Sequence, residues 1–356
     1  MSELSQPIPE PSPDSVRKRR PRYSGTHPRH FGDKYKELNP EKYPETVAKV
    51  FASGKTPAGM HRPVMVDEVL RELGPKPGMV GVDCTLGYGG HALELLGKMQ
   101  PGGKLIGLDA DPLELSKTEQ RLRALGFHDE QFVARHTNFA ALARVLAELE
   151  ISSVQFILAD LGVSSMQLDD PARGFTFKTE GPLDLRLNPR KGRSAAEALK
   201  KFSSSELETI LRENADEPLA REIALGILAR AEERAIETTG ELANTVLSVL
   251  PRRIAREQGS AVVRRVFQAL RIHVNDEFGA LENLLRVAPQ CLAPHGKVAI
   301  LTFHSGEDRR VKKSFQEGAR AGIYAEVADE PARADAAEVR ANPRAASAKL
   351  RWARRA

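Results

Sequence analysis

Cysteine is scarce in this chain. Only two cysteines occur in 356 residues, Cys84 and Cys291, and they lie far apart and in no CxxC spacing. The spacing argues against a disulfide framework and a thiolate zinc site, and we expect no metal at the functional site. The same scarcity is typical of a protein that works in the reducing cytoplasm.

Long apolar runs and a strong charge imbalance are also absent. The longest uncharged apolar stretches, such as Leu242–Pro251, are well short of the ~20 residues that a membrane-spanning helix needs. The N-terminus has basic residues without an apolar segment behind them, so we expect no secretory signal and no membrane partner. Lys and Arg number 53 against 48 Asp and Glu, and the net charge of +5 is only a mild lean toward polyanionic partners.

What is present is an ordinary globular composition. Apolar residues make up 41% of the chain and charged residues 28%, which excludes wholesale disorder, collagen and coiled coil. The length allows two domains plus extra segments. Residues 1–59 differ from the rest, with dense proline and a basic run at 17–22. We expect a solvated, partly disordered arm there, whose natural partner, if it docks, is nucleic acid.

From residue 79 the pattern alternates between strands and helices. Short apolar runs that end in turn residues predict strands at Gly78–Leu86, Lys104–Ala110, Gln131–His136 and Val154–Leu161. The segments between the strands predict helices at 91–99 and 139–149, and Asp111 followed by Pro112 predicts the N-cap of another. Strands that alternate with helices of this length indicate βαβ units and a parallel sheet.

Between about 167 and 265 the strand signals vanish and helix starts accumulate. Three capping boxes, at Ser194, Ser203 and Thr238, predict helix N-termini. A further helix is expected around 267–286.

An apolar strand, Lys297–Phe303, follows these helices. The simplest architecture is a helical domain inserted into one doubly wound sheet domain. The predicted units are an arm of residues 1–59, a discontinuous sheet domain of residues 60–166 and 266–356, and a helical insertion of residues 167–265 that recognises the substrate.

The end of the first predicted strand carries a glycine-rich turn. Gly87, Gly89 and Gly90 let the backbone turn tightly and approach a ligand at the N-terminus of the next helix. Asp109, at the tip of the second strand, lies 22 residues after Gly87, where a carboxylate accepts hydrogen bonds from both ribose hydroxyls. Turn, acid and strand pattern together indicate an adenosine cofactor. The alternative, that the glycines only allow close packing of helix on strand, stays open.

NAD and S-adenosylmethionine both fit that arrangement, but the G-x-G-x-x-G order that a pyrophosphate favours is absent. The loop after the fourth predicted strand, residues 160–167, is of the kind that binds the acceptor amine in amino-methyltransferases. An exocyclic base amine is a poor nucleophile, because its lone pair is delocalised into the ring, and it needs acceptors that hold it in line with the S–CH3 bond. Asp160 can supply one acceptor, and Gln167 can hold the cofactor or the loop. A loop-capping role for Asp160 is the alternative.

Longer blocks of the sequence resemble a known family. They run in order from about His61 to Arg351 and are HRPV at 61–64, TLGYGGH at 85–91, DLGVSS at 160–165, QLDD at 167–170, RGFTF at 173–177, GPLD at 181–184, FQALRI at 267–272 with Asn275, FHS at 303–305 with EDR at 307–309, and NPR at 342–344 before SAKLR at 347–351. In these blocks the chain resembles the bacterial ribosomal RNA small-subunit methyltransferase H family. The resemblance implies a class I, Rossmann-like, S-adenosylmethionine-dependent methyltransferase with a helical insertion. Its substrate would be N4 of a cytidine in the decoding region of 16S ribosomal RNA.

The resemblance also implies which residues form the site. The cofactor would be bound by Gly89, Gly90, His91, Asp109, Phe139, Asp160 and Gln167. The two glycines and the histidine would contact the methionine moiety, the acid after the second strand the ribose, and the phenylalanine the adenine. The last two residues would line the cofactor next to the acceptor base, and Asp160 would be the catalytic residue.

Several positions depart from the family pattern. Met166, Gly306 and Arg310 replace a proline, a leucine and an isoleucine, and the arm at 1–59 is an addition. Two other functions stay open: a methyltransferase that acts on a different RNA or DNA amine, and a ribosome assembly factor that binds RNA without catalysis.

Contact with RNA must come from outside the glycine turn. Basic residues follow or surround the family blocks, and they are candidates for phosphate binding or for a merely solvated face. These candidates are Arg252, Arg253, Arg256, Arg264, Arg265, Arg309, Lys312, Lys313, Arg351, Arg354 and Arg355. His304 and Ser305 are expected either to shape the pocket or to cap a helix through Ser305-x-x-Asp308. The sequence leaves both a monomer and a homodimer open.

Overall fold

The structure, a computed structural model, describes residues 63–356. The predicted arm, residues 1–59, lies outside the described residues, as does His61 at the start of the first family block. Among the described residues, no helix combines the length and the apolar character needed to cross a bilayer.

Seven strands form a single sheet in the described part of the chain. They are β1 Val80–Asp83, β2 Lys104–Asp109, β3 Phe132–His136, β4 Val154–Asp160, β5 Leu292–Thr302, β6 Tyr324–Val327 and β7 Lys349–Arg355. Their order across the sheet is β3-β2-β1-β4-β5-β7-β6. The first five are parallel, and β7 runs antiparallel to both β5 and β6. The prediction of a mostly parallel sheet is confirmed.

Thirteen α-helices accompany the sheet among residues 63–356. They are α1 Val66–Leu73, α2 Gly90–Met99, α3 Pro112–Ala124, α4 Leu142–Glu148, α5 Ser165–Asp169, α6 Ala195–Leu199, α7 Ser204–Ala215, α8 Ala220–Glu233, α9 Thr239–Val249, α10 Arg252–Asn275, α11 Glu277–Cys291, α12 Ser305–Arg320 and α13 Ala336–Ala341. Short 3-10 turns cover Phe139–Ala141, Pro171–Arg173 and Pro343–Ser347.

Helices cover both faces of the sheet. One apolar cluster joins the strands to α4, α11 and α12, and a second joins them to α1, α2 and α3. Because both faces are covered, β4 is buried at nearly every position, which explains the uninterrupted apolar run in its sequence. This doubly wound arrangement is the predicted Rossmann-like fold.

A third apolar cluster lies among the helices of the predicted insertion, from Phe175 to Leu270. The predicted capping boxes all form: the hydroxyls of Ser194, Ser203 and Thr238 accept the backbone N–H of the glutamate three residues later. The predicted domain limits stay a prediction, since α10 runs without a break through residue 265.

The single helix predicted around 267–286 is wrong. The chain forms two helices there, α10 and α11, separated by Asp276 with φ of 48°. In this left-handed conformation the N–H of Asp276 returns to the carbonyl of His273, which ends α10. Aspartate tolerates this conformation better than most residues, so a break is possible without glycine.

The predicted cap at the start of α12 is displaced by one residue. His304, and not Ser305, is the N-cap, and the carboxylate of Glu307 accepts the N–H of Phe303 at 2.8 Å. Asp308 instead binds Lys349 and Arg351 on β7, each at 2.6 Å. The strand partners outcompete the local cap because two cations face Asp308 from the neighbouring strand.

Candidate active site

The glycine turn joins β1 to α2 at the carboxyl edge of the sheet. Gly89, the N-cap of α2, has φ of 80°, and a Cβ there would lie 2.7 Å from the Cγ2 of Thr118. Glycine is therefore required for both conformation and space. The first N–H groups of α2, from Gly90 and His91 onward, have no intrahelical acceptor, as at any helix N-terminus. They offer a binding site for a carboxylate.

Asp109 ends β2, the strand next to β1. Its Oδ2 accepts the N–H of Gly87 at 2.6 Å, and its Oδ1 accepts the N–H of Asp111 at 2.7 Å. A carboxylate has about four acceptor positions, so each oxygen can accept one more bond from a ligand hydroxyl. Burial raises the pKa of the Asp109 carboxyl to about 7, although the two N–H donors oppose the shift.

Three acidic strand ends meet at this edge, because β2, β1 and β4 are neighbours in the sheet. Asp83 ends β1 and pairs in register with Leu158 of β4, two residues before Asp160. The sequence assigned Asp83 no contact of its own, although it opens the segment of residues 83–91 that contains the glycine turn. Burial raises its pKa to about 6, while the nearby His91 opposes the shift.

His91 lies between these acids. Its Nε2 is 3.5 Å from the Oδ2 of Asp160. At this distance the two side chains can form an ion pair, but the separation is too long for a good hydrogen bond. Burial alone would lower the pKa of the His91 imidazole, but the neighbouring carboxylates of Asp160 and Asp83 raise it above its usual range.

Asp160 has a buried oxygen, Oδ1, that no group in residues 63–356 satisfies with a hydrogen bond. Its own N–H donates to the Oγ1 of Thr85 at 2.6 Å, which fixes the backbone at the end of β4. The alternative of a loop-capping carboxylate finds no support, since the side chain caps no backbone N–H in the described part of the chain. An unsatisfied buried acceptor at a sheet edge is a position for a ligand donor.

Gln167 is turned toward the neighbouring loop. It lies on α5, where the hydroxyl of the N-cap Ser164 accepts the N–H of Gln167 and the Gln167 Oε1 accepts the N–H of Ser164 at 2.9 Å. Its Nε2 donates to the Oδ2 of Asp111 at 2.8 Å. Met166 beside it is buried, so the departure from proline is accommodated by apolar packing.

Phe139 opens the 3-10 turn that follows β3. β3 pairs with β2 so that His136 lies opposite Asp109, and the turn begins three residues later. The ring is half-buried and packs against the apolar cluster around α4 and α11. Its position beside the Asp109 strand is compatible with a contact to an adenine.

The other departures from the family pattern compensate for one another. Gly306 has no Cβ, and one built there would lie 2.7 Å from the ring of Phe278. The guanidinium of Arg310 stacks over the same ring, 3.5 Å from its centre. The two substitutions therefore build one stacked contact at the start of α12.

Several arginines that the sequence offered for phosphate binding have partners inside the protein. Arg265 pairs with the buried Glu217 at 2.6 Å, and Arg309 forms two hydrogen bonds with Asp216. Arg351 is buried against Asp308. Ion pairs join residues far apart in sequence, so charge counting along the chain does not reveal them.

The structure brings four further residues to this edge of the sheet for which the sequence predicted no contact with the cofactor or substrate. Asp111 was predicted only as a helix cap, and Asp83, Arg173 and Arg344 were assigned none. The guanidinium of Arg344 contacts the hydroxyl of Ser165 and lies 3.7 Å from Asp169, so it spans α5. The occurrence of both arginines in family blocks was the one signal in the sequence.

The chain matches known proteins along nearly its full length. Residues 58–356 match the sequence profile of the MraW methylase family. A protein of Lachnoclostridium phytofermentans named ribosomal RNA small subunit methyltransferase H 1 is 51% identical over 349 residues, which cover 97% of this chain and 95% of that protein. One of Alkaliphilus metalliredigens named ribosomal RNA small subunit methyltransferase H 2 is 49% identical over 344 residues, 96% of this chain and 98% of that protein.

These matches also bear on the N-terminal arm. An alignment that covers 97% of this chain must include most of residues 1–59. The interpretation of the arm as an addition is therefore wrong with respect to these relatives, which share it.

Proposed function

Because this chain belongs to the MraW methylase family, we propose that it methylates N4 of a cytidine in the decoding region of 16S ribosomal RNA. The protein is a methyltransferase, and S-adenosylmethionine is its methyl donor. The similar proteins are named small-subunit ribosomal RNA methyltransferases, which supports that RNA as the substrate. The observation that carries the choice of an amine acceptor is the unsatisfied Oδ1 of Asp160 at the edge where a cofactor would lie.

The residues at this edge fit S-adenosylmethionine. Asp109 has free acceptor positions for the ribose hydroxyls, and the start of α2 offers N–H groups for the methionine carboxylate. The cradle at Gly89 leaves no room for a side chain. When bound, the cofactor supplies an electrophilic methyl group on a sulfonium.

Asp160 is the group that acts on the acceptor. As the amine nitrogen attacks, positive charge develops on it, so a nearby carboxylate stabilises the transition state more than the ground state. The Oδ1 of Asp160 is free to accept an N–H of the amine, while the Oδ2 faces His91. The contact with His91 thereby holds the carboxylate in place.

The helical domain presents cations that are free to bind RNA. The side chains of Arg190, Lys191 and Arg193 are exposed, and none has an ion pair or hydrogen bond to the residues that the structure describes. These three residues lie in the loop that precedes α6. The side-chain amide of Asn275 fixes the start of this loop, since its oxygen accepts the N–H of Leu187 at 2.7 Å. A cavity of about 300 Å³ opens beside Arg193. These features support a role of the insertion in substrate recognition.

Removal of the positive charges of Arg190 and Lys191 is expected to weaken RNA binding and to reduce the dependence of the binding constant on salt. The variant Arg190→Ala/Lys191→Ala should lower the slope of log K against log salt by about 1.5, since each phosphate contact contributes about 0.7–0.9. Fluorescence anisotropy with a 16S RNA fragment at several salt concentrations measures it. Lys76→Ala/Lys98→Ala removes the same charge from the opposite edge of the sheet and should leave the slope unchanged. Equal slopes for both variants would show that the loop does not contact RNA.

Cofactor affinity is expected to fall as the pH is lowered from about 8 to about 5. Asp109 must be ionised to accept bonds from both ribose hydroxyls, and burial raises its pKa to about 7. Protonation below that pKa therefore competes with binding, up to about tenfold per pH unit. Calorimetry with S-adenosylhomocysteine at several pH values measures the effect. Asp109→Ala retains His91 and should lose the dependence; a flat profile in the wild type would contradict the assignment of Asp109.

Transfer of labelled methyl groups tests the proposed function directly. The pure protein is incubated with small ribosomal subunits and labelled S-adenosylmethionine, and the RNA is digested and mapped. We expect label in N4-methylcytidine at one position of 16S RNA. Label in another nucleotide would indicate a different amine acceptor. Absence of label would indicate a factor that binds RNA without catalysis.

A further inference from the structure

A buried polar cluster lies beneath the proposed ribose site. The Oδ2 of Asp111 accepts two hydrogen bonds, from the Nη1 of Arg173 at 2.7 Å and from the Nε2 of Gln167 at 2.8 Å. The three side chains are 0%, 8% and 7% exposed. They come from the loop after β2, from the start of the insertion and from α5, so one carboxylate oxygen joins three parts of the chain.

The other polar groups of Asp111 are also engaged. Its Oδ1 caps α3 by accepting the N–H of Leu113 at 2.9 Å. Its backbone N–H donates to the Oδ1 of Asp109 at 2.7 Å. The proposed ribose carboxylate is thus oriented by a residue that is itself fixed by Arg173 and Gln167.

Arg173 is tied on its second nitrogen as well. Its Nη2 donates to the carbonyls of Arg186 and Leu187, at 3.1 and 2.8 Å. The planar guanidinium can reach the carboxylate and both carbonyls at once, whereas a lysine ammonium is a single point charge on a flexible stem. The geometry therefore requires arginine.

We propose that Arg173 is a positioning residue for the methyl transfer. Through Asp111 it orients the carboxylate of Asp109 that is proposed to bind the ribose. Through the shared oxygen it holds α5 and the preceding loop after β4, the acceptor loop, in register with the cofactor. Neither Arg173 nor Asp111 needs to touch the cofactor for this role. The inference rests on the proposed function only for the identity of the bound ligands.

The test measures affinity for S-adenosylhomocysteine by calorimetry in a double-mutant cycle. Arg173→Lys is expected to weaken binding about tenfold, the loss that follows when a hydrogen bond to a charged group is misaligned. In the background of Asp109→Ala the same change should have no further effect, because Arg173 acts through Asp109. Additive losses, or no loss in the single variant, would overturn the proposal.

Arg271→Lys is the matched control. Arg271 forms a hydrogen-bonded pair with Glu277 at 2.7 and 2.8 Å, between α10 and α11 and without a bond to Asp111 or α5. It should lower the melting temperature as Arg173→Lys does but leave the affinity unchanged. If Arg173→Lys does not fold, Asp111→Asn replaces it, because asparagine keeps the helix cap and turns an amide N–H toward the two donors. The same non-additivity with Asp109→Ala is expected.

Turnover separates this inference from the proposed function. With saturating cofactor and RNA, Arg173→Lys should lower kcat about 10²-fold with little change in the KM for RNA, since small displacements of aligned groups cost rates of that order. An unchanged kcat would contradict the alignment of the acceptor loop. If the wild type labels no RNA, the proposed function fails, and the affinity cycle still decides the role of Arg173.

Discussion

Asp160→Asn is expected to retain RNA binding and to lower turnover by about 10²–10⁴-fold. Asparagine preserves the shape of the side chain and one acceptor oxygen, but it removes the negative charge that stabilises the developing ammonium. The Oδ1 of Asp160 has no hydrogen-bond partner in the described residues, so no other contact compensates for the charge at that atom. Single-turnover methyl transfer with saturating cofactor measures the loss.

Control variants distinguish the effect of the Asp160 charge from that of changes elsewhere in the loop. Asp170→Asn removes a carboxylate just after the short helix α5 but preserves its cap on Ala172, and it should turn over normally. Asp160→Ala removes both charge and acceptor and should be at least as slow as Asp160→Asn. Cofactor affinity should fall less than turnover, because Gly89, Gly90 and Asp109 remain. Normal turnover of Asp160→Asn would make Asp160 a structural residue of the loop.

Asp109→Ala is expected to weaken cofactor binding by about 10²-fold or more. It removes the acceptors for two ribose hydroxyls, and a hydrogen bond to a charged group contributes about 1.5–3 kcal/mol. It also removes the acceptor of the N–H groups of Gly87 and Asp111, which in the wild type donate to the Asp109 carboxylate at 2.6 and 2.7 Å. Calorimetry with S-adenosylmethionine measures the affinity.

The control for this variant is Asp129→Asn, a change to an exposed acid in the connection between α3 and β3. Its affinity for the cofactor should equal that of the wild type. Failure of the wild type to bind S-adenosylmethionine, or equal binding by Asp109→Ala, would refute the ribose assignment. Melting curves of both variants establish that any loss is not caused by unfolding.

Local chemistry explains what the sequence predicted correctly. The capping boxes at Ser194, Ser203 and Thr238 and the cap at Asp111 each depend on groups within three residues of one another. The strands were recognisable because helices cover both faces of the sheet, which demands continuous apolar runs. Strand ends in a parallel sheet meet at one edge, so the sequence alone places Asp109 and Asp160 at the same edge.

The misplaced elements are those in which two local choices compete. A helical pattern continues from α10 into α11, and only the tertiary fold selects a left-handed turn at Asp276. Ser305 is a better cap than His304 by residue type. In the folded protein the Asp308 carboxylate pairs with Lys349 and Arg351. The Glu307 carboxylate therefore accepts the backbone N–H at the helix start, and the cap lies one residue earlier.

By itself, the sequence predicted the first five strands, the edge of the sheet where the proposed site lies, and the glycine and acidic residues that are its candidates. It predicted neither β6 nor β7. Only the tertiary structure decided which polar side chain binds which partner. Arg173 and Asp111 are 62 residues apart, and Arg265 and Glu217 are 48 apart. Such pairs leave no periodic pattern, because their distance depends on how α5, the insertion and the loop after β2 pack together. The same holds for Gln167, whose amide group meets Asp111 only in the folded chain.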